Sequence, residues 1–177
     1  MSKRDRILKA AAKTVSNVGI GNVTLEQVAD EAGVSKGGLL YHFPSKQALL
    51  EGMVNYVLTQ MNNTLREYQE EHNFSISYVL STLNDLDKDE EISMMDKSAL
   101  VAIANDRDLL TVMQNHYTEW MEQLRAENNE EAAVIIRLIT SGLWLEYLVG
   151  VHSHGTQDRE YVLRAVKELN DRQKHKE

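Results

Sequence analysis

The chain contains no cysteine and a single proline, and it has few glycines after its first fifty residues. The lack of cysteine excludes disulfides, thiolate zinc sites, iron–sulfur clusters and cysteine nucleophiles. Six of the nine glycines lie at or before Gly52, and the proline is Pro44. Because both residue types interrupt helices, their concentration near the start predicts long helices in the remainder.

The chain also lacks a long apolar run. The longest uncharged apolar segment near its C-terminal end, residues 138–145, is far shorter than the roughly 20 residues that a membrane-spanning helix needs. Residues 1–20 are basic and amphipathic, but they have no apolar centre of the kind found in signal peptides. Hydrophobic residues make up 42% and charged residues 26% of the chain, as in soluble globular proteins. We expect a cytoplasmic protein without a membrane partner.

The net charge of −8 is divided unevenly. Residues 1–50 contain seven Lys or Arg and four Asp or Glu, a formal charge of +3, whereas residues 51–177 contain 12 and 23, a charge of −11. A basic segment followed by an acidic body predicts that only the first segment contacts a polyanion such as a nucleic acid.

The first fifty residues contain the start and stop signals of short helices. Apolar residues spaced by three and four predict a helix that ends at Gly19 and Gly21. Thr24 and Gln27 have the spacing of a capping box and begin a second helix, which Gly33 ends in a position suited to a left-handed turn. A third helix follows closely, so the pattern is helix, tight glycine-containing turn, helix.

Serine caps mark the next two helices. Ser35 can cap a helix that runs to about His42, and Ser45, after Pro44, can cap a long fourth helix that reaches Tyr68. No alternating pattern is long enough to predict a strand, so we expect an all-α protein. The later predicted helices span residues 75–86, 92–105, 109–127, 130–152 and 158–172.

Residues 24–50, TLEQVADEAGVSKGGLLYHFPSKQALL, resemble the DNA-binding signature of the TetR family of bacterial transcriptional regulators. The strongest part is residues 34–37 followed by Leu39, residues 41–43 and residues 45–46. The resemblance implies a helix-turn-helix domain at residues 1–46, joined by the fourth helix to a helical ligand-binding and dimerisation domain at residues 47–177. It also implies a ligand-responsive repressor that binds a palindromic operator as a homodimer and controls an efflux or stress gene, without a cofactor.

The helix starts supply the first predicted DNA-binding residues. Thr24 and Ser35 stand at helix N-termini, where free N–H groups favour a phosphate, although each can serve as a helix cap alone. Lys36 and Gly37 are expected to face the groove, because glycine allows close approach and lysine can donate to guanine.

The end of the third helix supplies the others. The resemblance implies phosphate contacts for Tyr41, His42 and Lys46, which would fix the register of the protein on DNA. Leu39 and Phe43 are expected in the core of the small domain. Gly38 departs from the family pattern, which often has a polar residue there, so base readout would rest on fewer side chains.

The last two long helices differ in character. Residues 132–150 are apolar almost all round, which is typical of a buried helix. Together with the amphipathic helix that carries Tyr161 and Val166, this segment is expected to pair with its copy in a second subunit, as in TetR-like proteins. The alternative is that both helices only complete the core of one subunit.

The middle helices combine methionines, aromatic residues and acidic groups, a composition suited to a pocket for lipophilic, cationic molecules. The alternative is an ordinary hydrophobic core. The predicted ligand-binding residues are Met53, Tyr56, Met94, Met95, Met113, Tyr117 and Trp120.

Other functions have little support in the sequence. His152 and His154 have a spacing that can bind metal, but no carboxylate or cysteine cluster accompanies them, so no metal site is expected. No nucleophile turn or phosphate-binding loop indicates an enzyme. The remaining rival is a DNA-associated architectural or adaptor protein that carries the same helix-turn-helix and senses no ligand.

Overall fold

The computed structural model describes residues 1–85, 90–151 and 156–174. Within these ranges the chain forms helices and no strand, which confirms the all-α class. The helices are α1 (Lys3–Val18), α2 (Leu25–Glu31), α3 (Lys36–His42), α4 (Lys46–Gln69), α5 (Phe74–Asp85), α6 (Glu90–Asn105), α7 (Arg107–Glu127), α8 (Glu130–Val149) and α9 (Thr156–Lys174).

The helix boundaries near the start of the chain follow the predicted caps. The Ser35 hydroxyl accepts a hydrogen bond from the N–H of Gly38 at 3.1 Å, and the Ser45 hydroxyl accepts one from Ala48 at 3.0 Å. Gly33 adopts a φ of 61° in the turn between α2 and α3, a conformation that glycine reaches without steric cost. Local hydrogen bonding therefore sets where α3 and α4 begin.

Helix α8 ends earlier in the chain than the sequence pattern predicts. The sequence pattern extended this helix to residue 152, but it ends at Val149. Gly150 adopts a left-handed φ of 74°, and its N–H donates to the carbonyl of Tyr147 at 3.1 Å. A left-handed glycine terminates the hydrogen-bond ladder, and apolar periodicity alone does not reveal it.

The described residues form two compact units, one of residues 1–60 and 90–113 and the other of residues 61–85, 114–151 and 156–174. The first unit therefore includes α6, which the sequence assigns to the ligand-binding domain. A functional boundary between residues 46 and 47 stays a prediction, because compactness does not by itself define function.

The first unit is built around α1, which packs against both α2 and α6. The Ser98 hydroxyl of α6 donates a buried hydrogen bond of 3.1 Å to the carbonyl of Ala12 in α1. The centre of the unit consists of fully buried apolar side chains: Ile7, Leu8, Val28, Leu39, Leu49 and Met53. The predicted core positions of Leu39 and Phe43 are confirmed.

In the second unit, the N-terminus of α5 is capped by a residue far away in the sequence, Glu127. Both carboxylate oxygens of Glu127, at the end of α7, accept backbone N–H groups of α5, from Phe74 at 2.7 Å and Ser75 at 2.9 Å. The Ser75 hydroxyl also receives a hydrogen bond of 2.7 Å from the amide of Asn128. This network satisfies the free N–H groups of α5 and ties it to α7.

Helix α8 is buried on one face and exposed on the other. Its buried side chains include Ile136, Thr140 and Leu143, and α8 contacts α5 and α9. Among the described helices, α8 is the one long and apolar enough to cross a membrane by length and composition, with 39% of the relevant window buried. Core helices of soluble proteins can meet the same criterion, and α8 packs against α5 and α9 within this unit.

Candidate nucleic-acid interface

The N-termini of the two short helices α2 and α3 are capped by Thr24 and Ser35. The Thr24 hydroxyl accepts the N–H of Gln27 at 3.3 Å, and the side-chain oxygen of Gln27 accepts the N–H of Thr24 at 2.9 Å, which confirms the capping box. Thr24 and Ser35 are both exposed. Both residues therefore cap helices and remain open to solvent, so the cap role is compatible with a phosphate contact.

The predicted DNA-binding residues of α3 divide into exposed and half-buried side chains. Tyr41 is 85% exposed, an unusual position for a large aromatic residue, and Lys36 and Gly37 are also exposed. His42 is half-buried, with its ring in an edge-on contact with Tyr41 at 5.1 Å between centroids. The structure thus presents Lys36, Gly37 and Tyr41 to solvent.

Lys36 is paired with an acidic residue that sequence reasoning did not select. Its ammonium group donates to the carboxylate of Glu26 in α2, and both side chains are 58% exposed. The hydrogen bond from Lys36 holds the pKa of Glu26 below its ordinary value. Exposed ion pairs contribute little free energy in water, so this pair orients Lys36 in the free protein without preventing exchange for a phosphate.

Lys46 contacts the loop that leads into α2. Its Nζ donates to the carbonyl oxygens of Ile20 at 2.7 Å and Gly21 at 3.3 Å. The predicted phosphate contact stays a prediction, but the geometry adds a positioning role, because the ammonium group joins the start of α4 to the loop before the helix-turn-helix. The ammonium has three donors, so a phosphate contact is compatible with these bonds.

Gly38 lies beside the cap of α3. A Cβ atom at this position would lie 3.1 Å from the Ser35 hydroxyl oxygen, whereas one at Gly37 would meet nothing within 4 Å. A side chain at residue 38 would therefore crowd the capping hydrogen bond.

The predicted ligand-binding residues of the first unit occupy different environments. Met53 and Met95 are fully packed in the core, whereas Tyr56 and Met113 are half-buried. Met94 lines a surface cleft between α1 and α6. The binding role of these five residues stays a prediction.

Tyr117 and Trp120, the two predicted residues of the second unit, lie together in an aromatic cluster. Their ring centroids are 5.7 Å apart, and Trp120 is also 5.7 Å from Tyr78 of α5 and 6.0 Å from His116. Phe74 stacks on Tyr78 at 5.8 Å and completes the cluster. Phe74, Tyr78 and His116 were not among the predicted residues, although the one-turn spacing of residues 74 and 78 places them on one helix face.

The polar atoms of this aromatic cluster are largely satisfied within the second unit. The indole N–H of Trp120 donates to the side-chain oxygen of Asn62 at 3.1 Å, and the Tyr117 hydroxyl lies 3.3 Å from that of Ser141. Burial raises the pKa of Tyr78 far above its ordinary value, so its hydroxyl stays protonated. The cluster thus combines flat apolar faces with neutral hydrogen-bonding groups.

The metal question concerns two parts of the chain. His152 and His154 lie outside the described residues. Across the residues that the structure describes, no group of three or more histidine or acidic side chains could hold a metal ion.

Two family models match the chain in succession. Residues 7–53 match the model of bacterial regulatory proteins of the tetR family. Residues 73–171, more than half of the chain, match the tetracyclin repressor-like C-terminal domain. The first match contains the helix-turn-helix, and the second contains the aromatic cluster and α8.

The sequence relatives support the first match. The transcriptional regulator RutR of Escherichia coli (strain K12) is 41% identical over 70 residues, which is 40% of this chain and 33% of RutR. The nucleoid occlusion factor SlmA of Vibrio cholerae is 28% identical over 80 residues, 45% of this chain and 41% of SlmA. The matched part of the chain thus spans between a third and two fifths of these relatives.

The similar solved structures extend over nearly the whole chain. A TetR-family member from Streptomyces coelicolor A3 has a TM-score of 0.73 at 21% identity and covers 96% of this chain and 99% of its own. The multidrug binding protein EbrR complexed with malachite green has a TM-score of 0.72 at 22% identity, with the same coverage. These identities indicate a shared fold. The two family models, which together match residues 7–53 and 73–171, show that this chain belongs to the TetR family of DNA-binding transcriptional regulators.

Proposed function

We propose that this chain is a ligand-responsive repressor that binds a palindromic operator as a homodimer in the cytoplasm. The observation that carries the proposal is the combination, in one chain, of an exposed helix-turn-helix and a second helical unit with an aromatic cluster. A family regulator with both parts can couple ligand binding to DNA affinity. An efflux or stress gene is the proposed target, since a lipophilic inducer would signal the presence of a toxic compound.

The proposed DNA contacts are divided by role. Lys36 and Gly37 face the groove at the start of α3, and Thr24, Ser35, Tyr41, His42 and Lys46 contact phosphates. The exposure of Lys36 and Tyr41 supports this division, because side chains that reach the groove or the phosphates must be accessible. Phosphate contacts position the protein, and groove contacts specify the sequence.

The proposed dimer interface is an apolar stripe on the exposed face of α8. We define the stripe as Leu138, Gly142, Leu145 and Val149, which recur at three- and four-residue spacing. Leu138, Leu145 and Val149 are 54%, 55% and 60% exposed. A contiguous apolar face of this kind is typical of an interface, and a two-fold dimer would bury it against its own copy.

The proposed inducers are lipophilic cations that contact Tyr117 and Trp120. Aromatic faces attract cations, and the second unit belongs to the acidic part of the chain. The structural neighbour EbrR is described as a multidrug binding protein and has been solved with malachite green and ethidium, both of which are aromatic cations. Met53, Tyr56, Met94, Met95 and Met113, all in the first unit, are the other residues that we propose to contact a ligand.

Coupling would run through α4. This helix is continuous from Lys46 to Gln69, and its residues belong to both compact units. A ligand that displaces the body of α4 would move the N-terminal end of this helix. In the proposed dimer, this movement would change the separation of the two helix-turn-helix domains, whose half-sites on DNA lie about 34–36 Å apart. By linkage, such a ligand lowers DNA affinity, typically by about 1–3 kcal/mol.

Induction by cations is tested by titrating ethidium and an anionic aromatic compound of similar size into the complex of the protein with its operator. Ethidium itself intercalates in DNA, so malachite green serves as a second cation and direct binding to the free protein is measured as well. We expect the cations to release the operator and the anion to have little effect. Trp120→Leu should weaken cation binding, whereas Trp144→Leu is the matched tryptophan control. Release by the anion alone would contradict the proposed inducer class.

Replacing Lys46 by alanine tests the phosphate contact. Loss of one phosphate contact should weaken binding almost equally on all DNA sequences and lower the slope of log affinity against log salt by about one unit. Lys167→Ala, which removes an exposed lysine from α9, is the matched control and should leave the slope unchanged. A changed base preference with an unchanged slope would leave only the loop-positioning role of Lys46.

A non-sensing DNA-associated protein is the second candidate function. SlmA, which matches part of the chain, is named a nucleoid occlusion factor. A protein with a similar DNA-binding region can therefore have a role other than gene repression. Genome-wide mapping of bound DNA distinguishes the two. A repressor should occupy one or a few promoters, whereas dispersed sites with no ligand response would favour the rival.

A further inference from the structure

The first unit contains a cleft between α1 and α6, of which the proposed function uses only Met94. The cleft has a volume of about 490 Å³ and is lined by Val15 of α1, by Gly19 just after this helix, and by Met94, Lys97, Ser98 and Val101 of α6. Small-molecule sites usually have volumes of roughly 300–1,000 Å³. The cleft is therefore large enough for a small organic molecule.

The lining combines an apolar surface with one positive charge. Val15 and Met94 supply buried and half-buried apolar surface, and Val101 is 41% exposed at the cleft. Among the lining residues, Lys97 is the only charged side chain, and it is exposed to solvent. The lining thus offers no carboxylate to attract a cation, in contrast to the acidic balance of the chain as a whole.

The two walls of the cleft are held in place by the packing of α6 on α1. The Ser98 hydroxyl donates a buried hydrogen bond to the Ala12 carbonyl and so joins the two helices beside the cleft. α1 also packs against α2, the first helix of the helix-turn-helix. A molecule that enters the cleft would therefore contact the helix that supports the DNA-binding helices.

We propose that the α1–α6 cleft binds a small amphiphilic carboxylate. Its apolar chain would lie against Val15, Met94 and Val101, and its carboxylate would pair with the Lys97 ammonium group. The apolar surface provides most of the affinity, and the single lysine selects an anion over a cation. This inference goes beyond the proposed function, because it involves other residues and the opposite ligand charge from those proposed for the aromatic cluster.

The test uses octanoate as the probe and octyltrimethylammonium as the matched cation, each titrated calorimetrically into the full-length protein without DNA. We expect octanoate to bind and the cation to bind at least about fivefold more weakly, a difference of the size that one partly exposed ion pair can provide. Because DNA is absent, failure of the repressor proposal would not affect this result.

Three variants locate the site. Lys97→Gln should weaken octanoate binding by about fivefold, and Val101→Glu should weaken it further by placing a carboxylate at the cleft. Lys167→Gln, on α9, should bind as the wild type does. Lys97 and Val101 are exposed, so both variants are expected to fold. If Val101→Glu does not fold, the comparison of Lys97→Gln with the wild type decides the outcome.

Absence of octanoate binding at millimolar concentration would overturn the proposal. Equal binding by wild type and Lys97→Gln, or equal binding of octanoate and the matched cation, would also overturn it. Weaker binding by both cleft variants together with unchanged binding by Lys167→Gln would support it.

Discussion

Replacing Gly142 by arginine is expected to convert the proposed homodimer into a monomer and to lower operator affinity by about two orders of magnitude or more. Gly142 lies in the centre of the apolar stripe of α8, so each subunit would place a charged side chain against the copy of itself. Separated subunits bind half-sites one at a time, and loss of simultaneous binding typically costs roughly 10²- to 10⁴-fold in affinity.

The position allows this effect to be separated from misfolding. A Cβ atom at Gly142 would meet nothing within 4 Å in the subunit, so an arginine side chain can extend into solvent without displacing the core. Arginine also favours a helix more than glycine does. We therefore expect the subunit of Gly142→Arg to keep its fold, so that a loss of dimerisation is not caused by unfolding.

Asn115→Arg is the matched control, because it adds the same charge at an exposed position of α7. Sedimentation at micromolar concentration should find a dimer for the wild type and Asn115→Arg and a monomer for Gly142→Arg. Operator titrations should show the affinity loss in Gly142→Arg only. A wild-type monomer, or a Gly142→Arg dimer with normal operator affinity, would show that α8 is not the interface.

Replacing Gly52 by alanine should destabilise the first unit by up to about 2 kcal/mol, because overpacking costs about 1–3 kcal/mol and a gain in helix propensity of about 1 kcal/mol opposes it. A Cβ atom at Gly52 would lie 2.5 Å from Cε1 of Phe43 and 3.3 Å from Cδ2 of Leu8. Both partners are buried, so α4 or the Phe43 ring must move. The gain in helix propensity from glycine to alanine, about 1 kcal/mol, offsets only part of this cost, and Gly52→Val should be more harmful still.

Gly37→Ala is the control within the same unit. A Cβ atom at Gly37 would meet nothing within 4 Å, so this variant should be as stable as the wild type or more stable. Urea unfolding followed by circular dichroism measures both free energies. Equal stability of Gly52→Ala and Gly37→Ala would mean that the approach of α4 to Phe43 is not a tight contact.

Much of the local structure could be predicted because the responsible atoms are close in sequence. A Thr24 hydroxyl and a Gln27 amide three residues apart can cap each other whatever the remainder of the chain does. Gly33 supplies its left-handed turn for the same reason. The positions of Leu39 and Phe43 in the core also followed from their apolar character.

The candidate site was predicted only in part. The exposed Lys36 and Tyr41 lie in the recognised motif, but the pairing of Lys36 with Glu26 and of Lys46 with the Ile20 carbonyl joins residues that are 10 and 26 positions apart. Several loop geometries are compatible with the same sequence spacing. Contacts of this kind depend on how the helices pack.

Residue type and short-range spacing by themselves determined that this chain is helical, where its first helices begin, and that its basic segment carries a TetR-like DNA-binding motif. Only the tertiary structure decided that α6 packs on α1, that Tyr117 and Trp120 join Phe74 and Tyr78 in one cluster, and that α8 leaves an apolar stripe exposed. Caps and helical periodicity act within one or two turns, so the sequence displays them directly. The choice of which apolar face meets which depends on shape complementarity between segments distant in the chain, and one-dimensional patterns do not contain it.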